Sequence, residues 1–487
     1  MAGLLCGCRG AGWHTARSVP PGPVSAEQVT RSRDSAPLRK ELARSEDPPA
    51  QSEEPIRLVS ESRDTESPGD LDTASSLSLT ECLSISLTQN PDLIALRQGD
   101  AVGRAALGVA QNYPFNPFVQ FQATPYQDAP HSFNLPAKYH YVLLMQTLQL
   151  AHQQRYREES ASFALNSVRW NIHQAELLNV AQTERLYFTA LYQQGILELA
   201  EASHANNLQV QRTLQKQLEA GQATAADVAI INLDTRSTEQ QLRLARANAL
   251  SAVRDLQRQL GDTPESARRL SGDLRRMVWR LPSEPAETGS DASSTEEAKR
   301  LSVEWSRSRP DVMAAHADID VARANRDLAC AARTPDLQIG PYYQRTADGT
   351  YYLGFRGQMD IPVVNNGKPL VNQREAEQTQ RVMTWNQIQR RAELEAVAAF
   401  ERYELALSSV KDSEEKAESD LPQELQNLER QFLAGEVDIV RVVQGRTSLI
   451  QNQRARLDLL NELAQASANL TAATGIPPEN YLVIRSP

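Results

Sequence analysis

Two kinds of spacing run along this chain, and each selects a different backbone. From Leu337 to Ile361 apolar and polar side chains alternate. Leu337, Ile339, Pro341 and Tyr343 are interleaved with Gln338, Gly340, Tyr342 and Gln344, and Tyr351, Leu353, Phe355, Gly357, Met359 and Ile361 with Tyr352, Gly354, Arg356, Gln358 and Asp360. A period of two sends the two sets to opposite faces of a strand, so the spacing predicts a pair of strands with one apolar and one polar face. Thr346-Ala347-Asp348-Gly349 supplies the hairpin turn between them, with Asp-Gly as its strongest signal. An earlier stretch is a blurred version of the same thing. There Val119, Phe121 and Ala123 oppose Gln120 and Gln122, while the return from Tyr139 to Leu150 alternates poorly. Such hairpins fit either a sheet laid over a soluble helical core or a membrane wall with lipid outside and water inside.

Elsewhere the spacing is helical. No proline occurs between Pro136 and Pro264, and within that stretch Gly195, Gly221 and Gly261 are the only glycines. A single helix from about Gln153 to Gln217 would be ~95 Å long at ~1.5 Å per residue, far beyond a globular domain. After Gly221 a returning helix carries an apolar and small-residue seam at alternating three and four spacing: Val228, Ile231, Thr235, Thr238, Leu242, Ala245, Ala249, Ala252 and Leu256. A second seam runs through Val442, Gly445, Leu449, Asn452, Arg456, Leu459, Leu463, Ala466 and Leu470. Sustained spacing of this kind is coiled-coil-like, and small residues let neighbouring helices approach closely.

The pattern is written twice. Asn90-Pro91-Asp92-Leu93 returns as Arg309-Pro310-Asp311-Val312, and the Val-x-Arg-Ala of Val102 to Ala105 returns at Val321 to Ala324, both 219 residues on. Leu218-Glu219-Ala220-Gly221 matches Phe432-Leu433-Ala434-Gly435, and Leu260-Gly261 matches Thr474-Gly475, both 214 residues on. The chain is therefore a tandem duplication of roughly 180 residues per copy, too long for a solenoid repeat. The first copy spans 77–261, with a hairpin at about 117–150 and a long helical pair at about 153–260. The second spans 295–475, with a hairpin at about 336–364 and a helical pair at about 370–474. Each opens on a capping-box pattern, Ser78-x-x-Glu81 and Ser294-x-x-Glu297. Each is then broken at Asn90-Pro91 or Arg309-Pro310, since the residue before proline is pushed out of the helical region. Residues 262–294, with Pro282, Pro285 and Gly289, read as a linker, and 476–487 as a tail.

Composition narrows the class. Of 487 residues 40% are hydrophobic but only 6% aromatic, which favours long helices over extensive sheet. The formal charge of -10 excludes a general nucleic-acid surface, which needs a net basic face. No run approaches the roughly 20 apolar residues of a membrane-spanning helix, a test that says nothing about a β-barrel. Residues 1–76 are rich in Ser, Pro, Glu and Arg and read as a leader and flexible tether. Within them Leu4-Leu5-Cys6-Gly7-Cys8 resembles the end of a lipoprotein signal, which would make Cys8 a lipidation site; the basic and apolar regions expected before it are missing, pointing to a start upstream of Met1. Cys82 and Cys330 read as plain helix residues. The seven histidines are scattered without zinc-ligand spacing, and no phosphate loop, nucleophile elbow or triad spacing is present. The expectation is no catalytic residue, no metal site and no cofactor.

Two copies of helix, hairpin and long helical pair, with Asn/Arg-Pro-Asp-Leu/Val openings and Ala-Gly tips, resemble the TolC family of outer-membrane efflux channels over about residues 77 to 475. Ile361-Pro362-Val363-Val364-Asn365-Asn366-Gly367-Lys368 and Leu421-Pro422-Gln423-Glu424 resemble the branch serving cation-efflux pumps. The resemblance implies a mostly α fold with a small β part. Its tandem long helical hairpins would form a periplasmic α-barrel, and its four strands would contribute to a trimeric, twelve-stranded transmembrane β-barrel. It implies a homotrimer in outer-membrane lipid that passively conducts substrates delivered by an inner-membrane pump through a periplasmic adaptor. The adaptor would meet the tips at Ala220-Gly221-Gln222 and Ala434-Gly435-Glu436, where glycine tolerates a left-handed turn and leaves room for a partner backbone; a plain helix-ending glycine reads equally well. Some family members narrow the tip with paired acidic residues, and the aligned positions here are Arg441 and Gln444. With Asp227 at the position matching Arg441, an Asp227 to Arg441 contact is the candidate gate. Rival readings are the adaptor itself, which would carry one helical hairpin inside a compact β-domain, and a soluble coiled-coil structural protein of the periplasm.

Overall fold

The computed structural model describes residues 76–124, 139–221, 223–263, 269–282, 295–346, 349–417 and 439–484, with isolated positions between 427 and 437. All lie in one compact unit, 70–487. The first copy runs β1 (Ser76–Leu77), α1 (Leu79–Gln89), α2 (Pro91–Gln111), β2 (Phe118–Thr124), β3 (Tyr139–Leu148), α3 (Gln153–Glu219) and α4 (Ala225–Leu260). A connector carries β4 (Arg269–Leu270) and β5 (Met277–Trp279). The second copy repeats the order as α5 (Thr295–Arg307), α6 (Pro310–Ala331), β6 (Leu337–Arg345), β7 (Tyr351–Met359), α7 (Lys368–Ala417) and α8 (Ile439–Thr474), followed by β8 (Leu482–Ile484).

Local chemistry explains where the helices start and stop. The Ser78 hydroxyl accepts from the Glu81 amide while the Glu81 carboxylate accepts from the Ser78 amide, a reciprocal cap for α1. Ser294 of the second capping pattern lies outside the described residues. Asn90 ends α1 and caps α2, its Oδ1 accepting from the amides of Asp92 and Leu93, with Pro91 in the first helical position where a missing N–H is harmless. Its amide also donates to the Gln259 carbonyl at 2.8 Å. Arg309 repeats that reach in the second copy: its Nη1 donates to the Ala473 carbonyl at 3.1 Å, and Ala473 lies 214 residues beyond Gln259. Each Asn/Arg-Pro break is thus tied to the last turn of the returning helix of its own copy.

α3 has 67 residues, or about 100 Å at roughly 1.5 Å per residue. Along α4 the expected seam is buried at Ile231, Thr235, Thr238, Leu242, Ala245, Ala249, Ala252 and Leu256, with Val228 half-buried at its start. The α8 seam behaves differently. Val442 is buried, but Asn452 is exposed, and from Leu463 to Thr474 burial extends around most of the helix. α8 packs there against both α3 and α7, so its upper part needs two apolar faces and a single seam cannot describe it.

The connector and the C-terminal segment are not bare linkers. β4 pairs with β1, β5 pairs with β8, and Leu274, Met277, Trp279, Ile476, Tyr481 and Leu482 enter the main core beside Phe188, Phe400 and Tyr403. Tyr187-x-x-Ala190-Leu191 and Tyr403-x-x-Ala406-Leu407 match between copies. Both tyrosine hydroxyls pin the connector, Tyr187 on the Ser271 carbonyl and Tyr403 on the Arg280 carbonyl. Proline and glycine mark where a chain turns, but aromatic and aliphatic residues between those marks still seek burial. Cys82 belongs to the same core, and Cys330 lies exposed near the end of α6.

The four long strands form one antiparallel sheet in the order β2-β3-β6-β7, so the two hairpins lie side by side and β3 pairs with β6 across the copies.

Candidate functional site

Register assigns every strand residue to a face. Val119 and Phe121 oppose Leu144 and Val142; Val142 opposes Tyr343, and Tyr343 opposes Leu353. One face therefore carries Val119, Phe121, Val142, Leu144, Ile339, Leu353 and Phe355, and it lies open: Leu353 and Phe355 are 84% and 80% exposed. The other carries Gln120, Gln122, Tyr139, Tyr141, Tyr342, Gln344, Arg356 and Gln358. Leu143 and Met145 also point to the polar side but are buried, which is why Tyr139 to Leu150 does not alternate cleanly in sequence. The strands run 7 to 10 residues, close to the 9–11 that cross a bilayer when tilted. Among the described residues no helix is long and apolar enough to cross a membrane.

Pro341 sits in β6, a strand with neighbours on both sides, where it has no N–H to donate. The β3–β6 register is interrupted there, between the Leu143–Tyr342 and Gln146–Ile339 pairs. At that interruption the backbones close in, and a Cβ on Gly340 would collide with the Leu144 carbonyl oxygen. Glycine is required for that approach. Below it the sheet is fastened to the helices. Tyr113 donates to the Thr147 carbonyl at 2.7 Å, and buried Gln153 donates at 3.4 Å to the carbonyls of Ala331 and Thr334 and to the Asp336 carboxylate. Arg333 holds the loop after β7 through the Asn366 carbonyl.

At the opposite end of the helices, α3 stops at Gly221, whose φ of 72° places it in the left-handed region. A Cβ added there would meet nothing within 4 Å, so the turn is open to its surroundings. Asp227 lies on the next turn and is already engaged: its carboxylate accepts from the Thr224 amide at 2.9 Å and hydroxyl at 2.6 Å, capping α4. Arg441 and Gln444 lie exposed on α8, and no described ion pair joins Asp227 to Arg441 within the protomer. Leu214, Ile231, Ile439 and Val442 form a separate apolar cluster that ties α3, α4 and α8 together just behind the tip. Gln222, Ala434, Gly435, Glu436 and Cys8 lie outside the described residues.

A polar cluster that the sequence did not announce sits inside the core. The Glu184 carboxylate is wholly buried and accepts from Ser467, Thr471 and Tyr481. Burial pushes its pKa from 4.5 up to about 7, against the pull of the three hydroxyls and of Arg185. In the alignment set by Tyr187 and Tyr403, Phe400 takes the place of Glu184, so the duplicated position is buried in both copies but charged in one. Its only signal in sequence is that asymmetry. Among the described residues no group of His, Cys, Asp and Glu could hold a metal ion.

Residues 301–476 match the family described as outer membrane efflux protein. The chain's described fold is of the TolC type throughout. It is similar to CusC, with 18% identity and a TM-score of 0.65 over 82% of this chain and 92% of that one. MtrE of Neisseria gonorrhoeae shares 16% identity over 82% and 88% of the two chains with a TM-score of 0.64, and CmeC of Campylobacter jejuni 15% over 82% and 85% with 0.62. No match was found among curated proteins.

Proposed function

We propose that three copies of this chain form an outer-membrane efflux duct. The observation that carries this reading is the four-stranded sheet. Its apolar face is exposed, its polar face could line a water-filled lumen, and among the described residues β2 and β7 have no neighbour on their outer edges. Unpaired backbone groups at a sheet edge are untenable in lipid, and closure into a barrel removes them. Four strands cannot close around a pore; twelve from three protomers can. The long helices then continue the lumen into the periplasm, and the duct passively conducts what an inner-membrane pump delivers through a periplasmic adaptor. The open turn at Gly221 supports a docking role for the tips, Ala220-Gly221-Gln222 and Ala434-Gly435-Glu436. Arg441 and Gln444, free of the cap that occupies Asp227, stand where a gate between protomers would act. Cys8, if lipidated, would add an anchor to the barrel.

Membrane fractionation followed by sizing in detergent tests the assembly. A heat-sensitive trimer in the outer-membrane fraction is expected, whereas a soluble monomer would overturn the reading in favour of a periplasmic coiled-coil protein.

A further inference from the structure

We propose that Arg356 is the specificity-determining residue of the barrel section, a guanidinium repeated three times around the lumen that favours anionic and neutral cargo over free cations. The inference rests on the trimeric duct. Among the described strand residues on the polar face, Arg356 is the one carrying a full charge; its companions are Gln, Tyr, Thr and Gly together with Phe118, Leu143 and Met145. His140 and Arg345 are paired on the opposite face near the hairpin end, where Arg345 lies over the Tyr351 ring at 5.3 Å. Arg356 is exposed, and its register partner on β6 is Gly340, which offers no side chain to cover it. Its head is nonetheless held, since Nη1 donates to the Tyr141 hydroxyl at 3.3 Å, and the Tyr141 ring packs against that of Tyr342 at 6.0 Å. Gly354 is part of the same arrangement, because a Cβ there would meet the Tyr342 ring at 2.9 Å.

Within the described strands no carboxylate on this face neutralises the guanidinium. The nearest acidic positions in the strands' continuation, Asp336 and Asp360, lie beyond the strand ends, in the cavity at the base of the sheet that Arg333 also lines. A cation entering from the helices would thus meet a mixed acidic and basic rim and then a purely cationic ring, and rings of Arg or Lys are how anion-passing pores are built.

Purified wild-type protein and the R356K, R356Q and R356E variants would be inserted into planar bilayers under a KCl gradient, each first checked as a heat-sensitive trimer. Three unit charges around one lumen, partly screened by salt, predict that the chloride-to-potassium permeability ratio falls roughly twofold in R356Q and roughly fourfold in R356E. R356K should keep the wild-type ratio. In the wild type itself the preference should fade as salt is raised, because a field from fixed charges is screened and a size filter is not. Channels of R356E or R356Q with the wild-type reversal potential would overturn the inference and leave the duct standing. A salt-independent wild-type ratio would overturn it equally, without any variant. Failure of the wild type to conduct at all would overturn the duct and the inference together.

Discussion

Replacing Glu184 with Gln should remove the loss of stability that this carboxyl imposes as pH rises from about 4.5 through about 7. The carboxyl is wholly buried at the junction of α3, α8 and the segment that carries Tyr481, and burial lifts its pKa from 4.5 to about 7. Between those values the folded protein holds a proton that the unfolded chain has released. Stability from this group is therefore fully present below about 4.5 and is lost as pH rises through about 7. At ~1.4 kcal/mol per unit, the loss across the interval is about 3 kcal/mol. The charged and titratable groups around it are Arg185, which favours the carboxylate, and Tyr403 and Tyr481, whose own pKa values burial raises well above neutrality, so neither competes for the proton in this range. Glutamine keeps an acceptor for the hydroxyls but carries no charge to bury, at the cost of about 1 kcal/mol for one altered hydrogen bond. The E184Q protein should be slightly less stable than the wild type at pH 5 and more stable at pH 8. Denaturant melts of the purified protein followed by circular dichroism at both pH values would read the crossing. Parallel pH profiles for the two proteins would refute the assignment of the slope to this carboxyl.

Other substitutions probe the remaining joints. Gly340→Val should abolish barrel assembly, because its side chain would drive into the Leu144 backbone; a heat-sensitive trimer formed at wild-type yield would contradict this. Thr224→Ala removes the α4 cap and should cost about 1 kcal/mol, read as a local rise in hydrogen exchange at the tip with little change at the sheet end. Arg309→Ala takes the buried guanidinium from Asp311, Glu395 and the Ala473 carbonyl and should destabilise by about 1–2 kcal/mol in the same melts, since Glu395 keeps Arg391; removal of the exposed Arg243 should cost less. Bulky replacement of Gly221 or Gly435 should stop export while trimers still assemble; retained export would separate the tips from adaptor docking. Exchange of Asp227 and Arg441 should loosen gating if the two meet across protomers, and unchanged conductance of the closed state would rule that contact out.

The period-two stretch at Leu337 to Ile361, the seam of α4 and the doubled Pro-Asp and Ala-Gly anchors were legible because each depends on spacing along one element. A strand must send alternate residues to opposite faces, and a helix returns to the same face every three to four residues. Spacing therefore determined the element types, the doubled order of elements, the Gly221 turn and the place of Arg356 on the polar face of its strand. What it could not determine is which elements meet. The pairing of β3 with β6 across the two copies, the entry of Trp279 and Tyr481 into the core, and the seating of Glu184 beside Ser467 and Thr471 join residues separated by up to 297 positions. Such contacts are chosen by the packing of whole helices and strands, so neither partner's neighbours along the chain disclose them. The same limit explains the α8 seam, whose upper half serves α3 and α7 at once, and the capping of α4 by Asp227, which its alignment with Arg441 does not disclose. The sequence by itself determined a twice-written order of long helices and two-faced hairpins, because those features are local periodicities. Only the tertiary structure decided where those helices are locked together, because burial and charge at each joint depend on groups brought in from far along the chain.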